Sequence, residues 1–324
     1  MKLSLKRLFL APILMAAACL AWGQTYPIKP ITLVVGFPPG GGADGVARPI
    51  AEALGKALGQ LVVMDYRPRA GTTLASAYVA GSKPDGYTLY MTSGAHYGGD
   101  RVLYGSRIKY DGGSFTPIAR WTQTPMILAV NPNDGIDSVA KLIARAKAKP
   151  DALTYGSSGN GVAPHLAGVL FENATNTKML HVPFKGGAAA VTAVASGDVN
   201  LTFATPPSVL PIAQTGKVKM IAVTSAERSP MFPDLPSINE AGVKHFDYTF
   251  WFGLFGPAGL PQDVVNKLFE ASNKALADPA LGTLLQKTGN QVSTMKSQAE
   301  FVSWAKADGA RLQDLMVKSG AKLD

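Results

Sequence analysis

The stretch VVGFPPGGGADGVARPI (residues 34–50) reads as the end of a strand, a glycine-rich turn and the start of a helix. Gly40, Gly42 and Gly45 fall at G-x-G-x-x-G spacing, and Asp65 closes the next apolar run, QLVVMD, twenty residues after Gly45. That is close to a dinucleotide-binding fingerprint. The same arrangement suits other anions, because a helix N-terminus exposes unpaired N–H groups and carries a partial positive charge. The rest of the chain has to say which anion the turn serves.

The first residues bear on this directly. Lys2, Lys6 and Arg7 precede an apolar run from Leu8 to Leu20, and Ala21-Trp22-Gly23 offers small residues at a cleavage site. This pattern predicts a signal peptide over residues 1–23, removed before Gln24, and a periplasmic protein. The run is short for a membrane span. The sole cysteine, Cys19, lies inside it, so the mature chain is expected to have no disulfide and no cysteine metal site. Ala16-Ala17-Ala18-Cys19 also loosely resembles a lipid-attachment box, and lipoprotein anchoring is the alternative to ordinary cleavage. An exported protein meets no substantial pool of nicotinamide cofactor, and Pro38 and Pro39 remove N–H groups just ahead of the glycines. Both points count against the dinucleotide reading, and no cofactor is expected.

The net charge of +9 points to anionic solutes or surfaces. The basic residues are scattered, and the densest run, KLIARAKAKP (141–150), reads as one solvated helix face, so nucleic acid is not an expected partner. Beyond the opening motif, strand-like and helix-like segments alternate, which predicts an α/β fold. ITLVVGF, QLVVMDY, YTLYMTS and TPMILAVNPN read as strands; VARPIAEALGKALG (46–59) reads as a helix with Pro49 in its first turn. LTYGSSGNG (153–161) and HVPFKGG (181–187) repeat the scheme of strand, glycine turn and helix. FDYTFWFGLFGPAG (246–259) reads as a long aromatic strand followed by two helices.

Gly156-Ser157-Ser158-Gly159-Asn160 approaches a nucleophile elbow, but asparagine stands where G-x-S-x-G needs glycine. The histidines His96, His165, His181 and His245 show no metal-ligand spacing. An exported hydrolase is therefore a remote alternative, and neither a metal nor an enzymatic activity is expected.

Seven ordered blocks carry a resemblance: YPIKPITLVVGFPPGGGAD, SKPDGYTLY, YGSSGNGVAPHLAGVLF, HVPFKGGAAAV, SGDVNLTF, RSPMFPDLPSINEAG and WFGLFGPAGLP. Together they resemble solute-binding proteins of the tripartite tricarboxylate transporter family over essentially the whole mature chain. The resemblance implies a two-domain periplasmic binding protein fold with two crossing strands, near Met126–Val130 and Thr249–Leu254, and an interdomain ligand cleft. Residues 24–127 and 250–324 would form domain 1, and residues 128–249 domain 2. The domains would close on a small carboxylate and deliver it to membrane transporter subunits; a monomer is expected. A module presenting the carboxylate to a membrane receptor would use the same pocket.

On this reading the first loop (Phe37, Pro39, Gly40, Gly41, Gly42, Ala43) holds one carboxylate end through its N–H groups, while Asp44 caps the helix. Ser157, Ser158, Gly159 and Asn160 hold the far end, joined by Lys185, Gly186, Gly187 and Thr205. Ser93 is the counterpart of Thr205 in domain 1, and His165 belongs either to the helix or to the ligand. Relatives commonly read Asn-Arg-Pro-Gly-Ala-Gly-Gly where this chain has Tyr66-Arg67-Pro68-Arg69-Ala70-Gly71-Thr72. Arg69 is either a second carboxylate partner or a surface residue. Phe37, His96, Tyr97, Phe203, Trp251 and Phe252 could line the cleft, although alternation lets only about half of the side chains in YTFWFGLF face one way. Flat apolar walls suit an aromatic mono- or dicarboxylate, with an aliphatic dicarboxylate as the alternative.

Overall fold

The computed structural model describes residues 26–37, 39–40, 42–68, 72–318 and 320. The expected leader with Cys19, together with Pro38, Gly41 and Arg69, lies outside the described residues, as does the side chain of His96.

The opening motif folds as strand, turn and helix. β1 (Ile31–Val35) buries Ile31, Leu33, Val34 and Val35 and pairs in parallel with β2 (Val62–Tyr66) on one side and β3 (Thr88–Ser93) on the other. α1 (Gly42–Leu58) and α2 (Thr73–Ala80) make the two crossovers. After α3 (Gly94–Tyr104) come β4 (Phe115–Pro125) and, much later, β10 (Thr249–Pro257). β10 is antiparallel to both β3 and β4. With the short β11 (Gln291–Val292) the first sheet runs β11-β4-β10-β3-β1-β2.

The chain leaves this sheet at Met126 and enters the second through β5 (Ile127–Val130), whose four residues are all buried. α4 (Val139–Ala148) leads to β6 (Thr154–Ser157), α5 (Ala163–Thr175) to β7 (Leu180–Pro183), and α6 (Gly187–Ser196) to β8 (Leu201–Ala204). α7 (Pro206–Ala213) and β9 (Lys219–Val223) follow, giving the order β7-β6-β8-β5-β9. The two sheets share one plan. In each, a central strand (β1, β6) lies between two parallel partners, and an antiparallel strand that adjoins the crossing follows. Each central strand is thus a switch point, where chain direction diverges and the carboxyl ends leave a crevice.

Thr224, fully buried, pins the two crossings together. Its Oγ1 accepts the Met126 N–H at 2.7 Å and donates to the Tyr248 carbonyl at 2.6 Å. The C-terminal α8 (Gln262–Leu276) and α9 (Pro279–Lys287) return to the first sheet, where α8 packs against α1 and β4. α10 (Gln298–Lys318) serves both lobes: Phe301 and Ala305 join a first-lobe core, while Leu312, Leu315 and Met316 join the core of the second.

Several sequence expectations are corrected here. TPMILAVNPN is two strands broken at Met126, because the chain changes sheets there. α3, β4 before Thr124, α9 and β11 are elements beyond those the sequence pattern predicts. The glycines of α3 mask its helical signal, yet they are needed for packing: a Cβ on Gly98 would lie 2.4 Å from the Gly309 carbonyl of α10. α1 starts at Gly42, so Pro49 lies inside the helix, where it forgoes one backbone hydrogen bond.

Candidate functional site

Two small cavities of about 160 Å³ each lie side by side between the lobes and share Phe37, Thr205 and Phe250. The first adds Met126 from the crossing, Ser158 and Val162 from the turn after β6, Ala163 and Pro164 from the start of α5, and Gly187 and Ser208. The second adds Ala43, Thr124, Pro207, Phe252 and Asn290. Phe37 meets Phe252 edge-on at 5.9 Å, and Phe252 meets Phe250 at 4.8 Å. Among the described residues no charged side chain lines either cavity. A larger hollow of about 680 Å³, between α3, α10 and the 110–117 segment, lies on the first lobe alone and touches no switch-point loop.

The polar capacity of the cleft comes from helix starts. α5, α6 and α7 begin at Val162, Gly186 and Thr205 without a side-chain cap, which leaves first-turn N–H groups for another acceptor. The helices are not equal. Pro206 and Pro207 supply no N–H, and the Ser208 N–H goes back to the Thr205 carbonyl at 2.9 Å, so α7 contributes hydroxyls. α6 offers the amides of residues 187–189, and α5 those of Ala163 and His165. Thr205 and Ser208 share a hydroxyl hydrogen bond of 3.0 Å. On the opposite wall Thr124 donates to Asn290 Oδ1 at 2.7 Å.

On the first loop, Phe37 and Ala43 reach the cavities, while Pro39 and Gly40 are exposed. The Gly40 N–H is not free for a ligand: it donates to Asp44 Oδ2 at 2.8 Å. Asp44 is therefore no N-cap. It sits within α1, is 7% exposed, and also receives Tyr66 Oη and Arg48 (3.1 Å). Burial alone would raise its pKa, but hydrogen bonds from Tyr66, the Gly40 N–H and Arg48 outweigh that and hold it below the usual carboxylate value.

On the second-lobe turn, Ser158 lines a cavity, Asn160 is exposed and Gly159 has φ +143°. The Ser157 hydroxyl is committed internally, donating to the Gly159 carbonyl at 2.7 Å and bonding His181 Nε2 at 2.6 Å. His165 is buried, and its Nδ1 accepts the Gly161 N–H at 2.9 Å. The helix begins at Ala163, later than the Ser-Ser-Gly-Asn turn suggested. Gly187 and Thr205 line the cleft; Lys185 is exposed, and neither it nor Gly186 lines either of the two cavities. Ser93 is fully buried and lines neither cavity.

Among the aromatic candidates, Phe203 and Trp251 are core residues and not cleft walls. Phe203 packs on Phe171, and Trp251 donates its indole N–H to Asp308 at 2.7 Å. Tyr97 faces the larger hollow. Phe250, absent from the sequence candidates, lines both cavities. Strand alternation does put it on the same face as Phe252, which is the signal that identifies it. Among the described residues no cluster of three or more His, Cys, Asp or Glu suits a metal, and no helix is long and apolar enough to cross a membrane.

A family model described as tripartite tricarboxylate transporter family receptor matches residues 46–320. A UPF0065 protein from the tcbD-tcbE intergenic region of Pseudomonas sp. strain P51 is 33% identical over 298 residues, covering 91% of this chain and 88% of that one. Among solved structures, R. palustris Rpa4515 with adipate superposes with a TM-score of 0.80 at 32% identity, over 92% of this chain and 100% of that one. MatC from Rhodopseudomonas palustris with bound malate gives 0.76 at 29% identity, over 90% and 100%.

Proposed function

The chain belongs to the tripartite tricarboxylate transporter receptor family, and from that premise we propose that it captures a small organic carboxylate in the periplasm and delivers it to membrane transporter subunits. As a member it is a solute-binding protein and not an enzyme. The observation that carries the ligand class is the composition of the cleft: apolar walls, uncapped helix starts and hydroxyls, with no charged side chain among the described lining residues. Backbone N–H groups at helix starts hold an anion in a low-dielectric site without a counter-charge to desolvate. Two similar structures are named with adipate and with malate, both small carboxylates, which supports this ligand class.

Phe37, Phe250 and Phe252 support a ligand with a flat apolar body, an aromatic mono- or dicarboxylate, since edge and face contacts reward a ring beyond its buried area. Residues 24–127 with 250–324 form one closing domain and 128–249 the other. Ligand shifts the open–closed balance by its differential affinity for the two forms.

The test is a melting and calorimetric titration of residues 24–324, unfolded and refolded to strip carried-over ligand. The probes are adipate, malate, benzoate, terephthalate and a nicotinamide dinucleotide. At a hundred times its Kd a ligand adds about 2.7 kcal/mol, a rise of several degrees. Stabilisation by a benzene carboxylate above adipate supports the aromatic assignment; the reverse order replaces it with an aliphatic one. Stabilisation by the dinucleotide alone overturns the carboxylate reading. Uptake of the winning carboxylate by cells with and without the gene tests delivery.

A further inference from the structure

Behind the turn that forms the second-lobe wall lies a polar knot that the ligand reading leaves unused. Ser157 ends β6, His181 stands beside it on β7, and His165 comes from the first turn of α5. The two imidazoles are stacked, with centroids 3.8 Å apart and planes within 5°. Tyr155, in register with His181, packs at 5.0 Å from its ring.

Both ends of the turn are tied to this knot. Ser157 Oγ accepts the Gly159 N–H at 3.1 Å, donates to the Gly159 carbonyl and bonds His181; the Gly161 N–H ends on His165 Nδ1. Gly159 and Gly161 hold φ of +143° and +68°, so the path between them depends on such ties. Neither imidazole lines either cleft cavity, whereas Ser158 and Val162 of the turn they hold line one of them.

We propose that His165 and His181 are positioning residues: as a neutral stacked pair they hold the 157–162 turn so that Ser158 and the first N–H groups of α5 meet the ligand, and protonation of the pair releases it. This rests on the carboxylate reading only for its binding arm. The acceptor at His165 Nδ1 exists only in the neutral ring, whose proton is then on Nε2. A charge on either ring would sit 3.8 Å from the other. The groups facing the pair are Ser157 and Tyr155 on β6. Glu172, farther along α5, is engaged by the Met179 N–H at 2.7 Å. Burial holds His165 down to about 4; burial and then the neighbouring His165 hold His181 down to about 3.

The experiment follows amide exchange by NMR in the ligand-free full mature chain, with β5 and β8 amides as the measure of global folding. In the wild type the protection factors of Gly159 and Gly161 should fall at least tenfold between pH 6 and pH 3.5, while β5 and β8, which lose protection only with global stability, remain better protected than the turn throughout. His165→Asn and His181→Gln keep an acceptor or contact near Nδ1 and Nε2 and should flatten that profile. His181→Leu should lower protection of the turn already at pH 7. If it does not fold, the flattened profile of H181Q decides alone. A wild-type profile that is flat, or one unchanged in the Asn and Gln variants, overturns the proposal. With adipate and terephthalate as probes, H181L should bind at least tenfold more weakly and H181Q within threefold of wild type. Wild type binding neither would count against the carboxylate reading, and the exchange profile would still decide this one.

Discussion

The Asp44 carboxylate accepts the N–H of Gly40 at 2.8 Å across the glycine-rich turn, so the motif that resembles a phosphate loop spends that amide on its own protein. Tyr66, brought alongside by β2, and Arg48 complete the carboxylate's partners. Asp44→Asn should destabilise the fold by about 1–3 kcal/mol, the range for leaving a buried polar partner unmatched, and Tyr66→Phe by less. The pKa of Asp44 is depressed in the folded state. Its contribution is therefore complete above the unfolded value of about 3.9 and is lost as pH falls through the folded value. Urea titrations should show D44N losing stability at pH 7 and converging on wild type below about pH 4. A constant difference across that range would mean that the carboxylate is not what holds the turn.

How much of this could be read beforehand varies by residue. The β1–turn–α1 unit was legible because a β-branched run, glycines and a 3.6-residue apolar stripe agree locally. The turns after β6 and β7 were legible for the same reason. Their donors were not: whether Gly40 or Ser157 is available depends on Asp44, Tyr66 and His181, which only the folded sheet brings near. α3 is not legible in the sequence because its glycines, a poor helix signal, answer to α10 more than two hundred residues later. The aromatic candidates divided between cleft and core through strand register. Phe250 and Phe252 face the cavities, and Trp251 turns to Asp308.

Phe250 should decide selectivity more than stability. It borders both cavities and meets Phe252 edge-on at 84°, so Phe250→Ala should open space between them and remove a ring from the wall of the proposed ligand cleft. Such ring contacts are worth about 0.5–1.5 kcal/mol beyond area. Calorimetry should show a terephthalate or benzoate affinity loss several-fold larger than that for adipate. Equal losses would mark Phe250 as packing only.

The stacked histidines also predict how whole-protein stability depends on pH. Both are held neutral when folded, at about 4 and about 3, against about 6.5 when unfolded. The unfolded chain therefore binds more protons below pH 6.5, and stability drains away as pH falls from there towards the folded values. The slope is at most about 1.4 kcal/mol per pH unit for each histidine. Denaturation midpoints measured from pH 7 to pH 5 should fall for wild type and fall less for the H165N/H181Q pair. Parallel curves would place the acid sensitivity elsewhere.

α10 poses the sharpest mechanical question, because one helix is packed into both lobes. Near its middle Asp308 accepts the Trp251 indole N–H and pairs with Arg311 at 2.7 Å, which fastens the helix to β10. One and two turns on, Leu312 and Leu315 are each 4% exposed within the second-lobe core. The proposed closure, in rotating the lobes, would have either to carry the helix end along or to slide it over α5. Leu315→Ala removes packing on the second lobe alone and should cost about 2–5 kcal/mol. If the helix end restrains the hinge, solution scattering of ligand-free L315A will show a changed radius of gyration while the ligand-saturated form matches wild type. An unchanged radius with the stability lost would mean that Leu315 fills the core without steering the lobes.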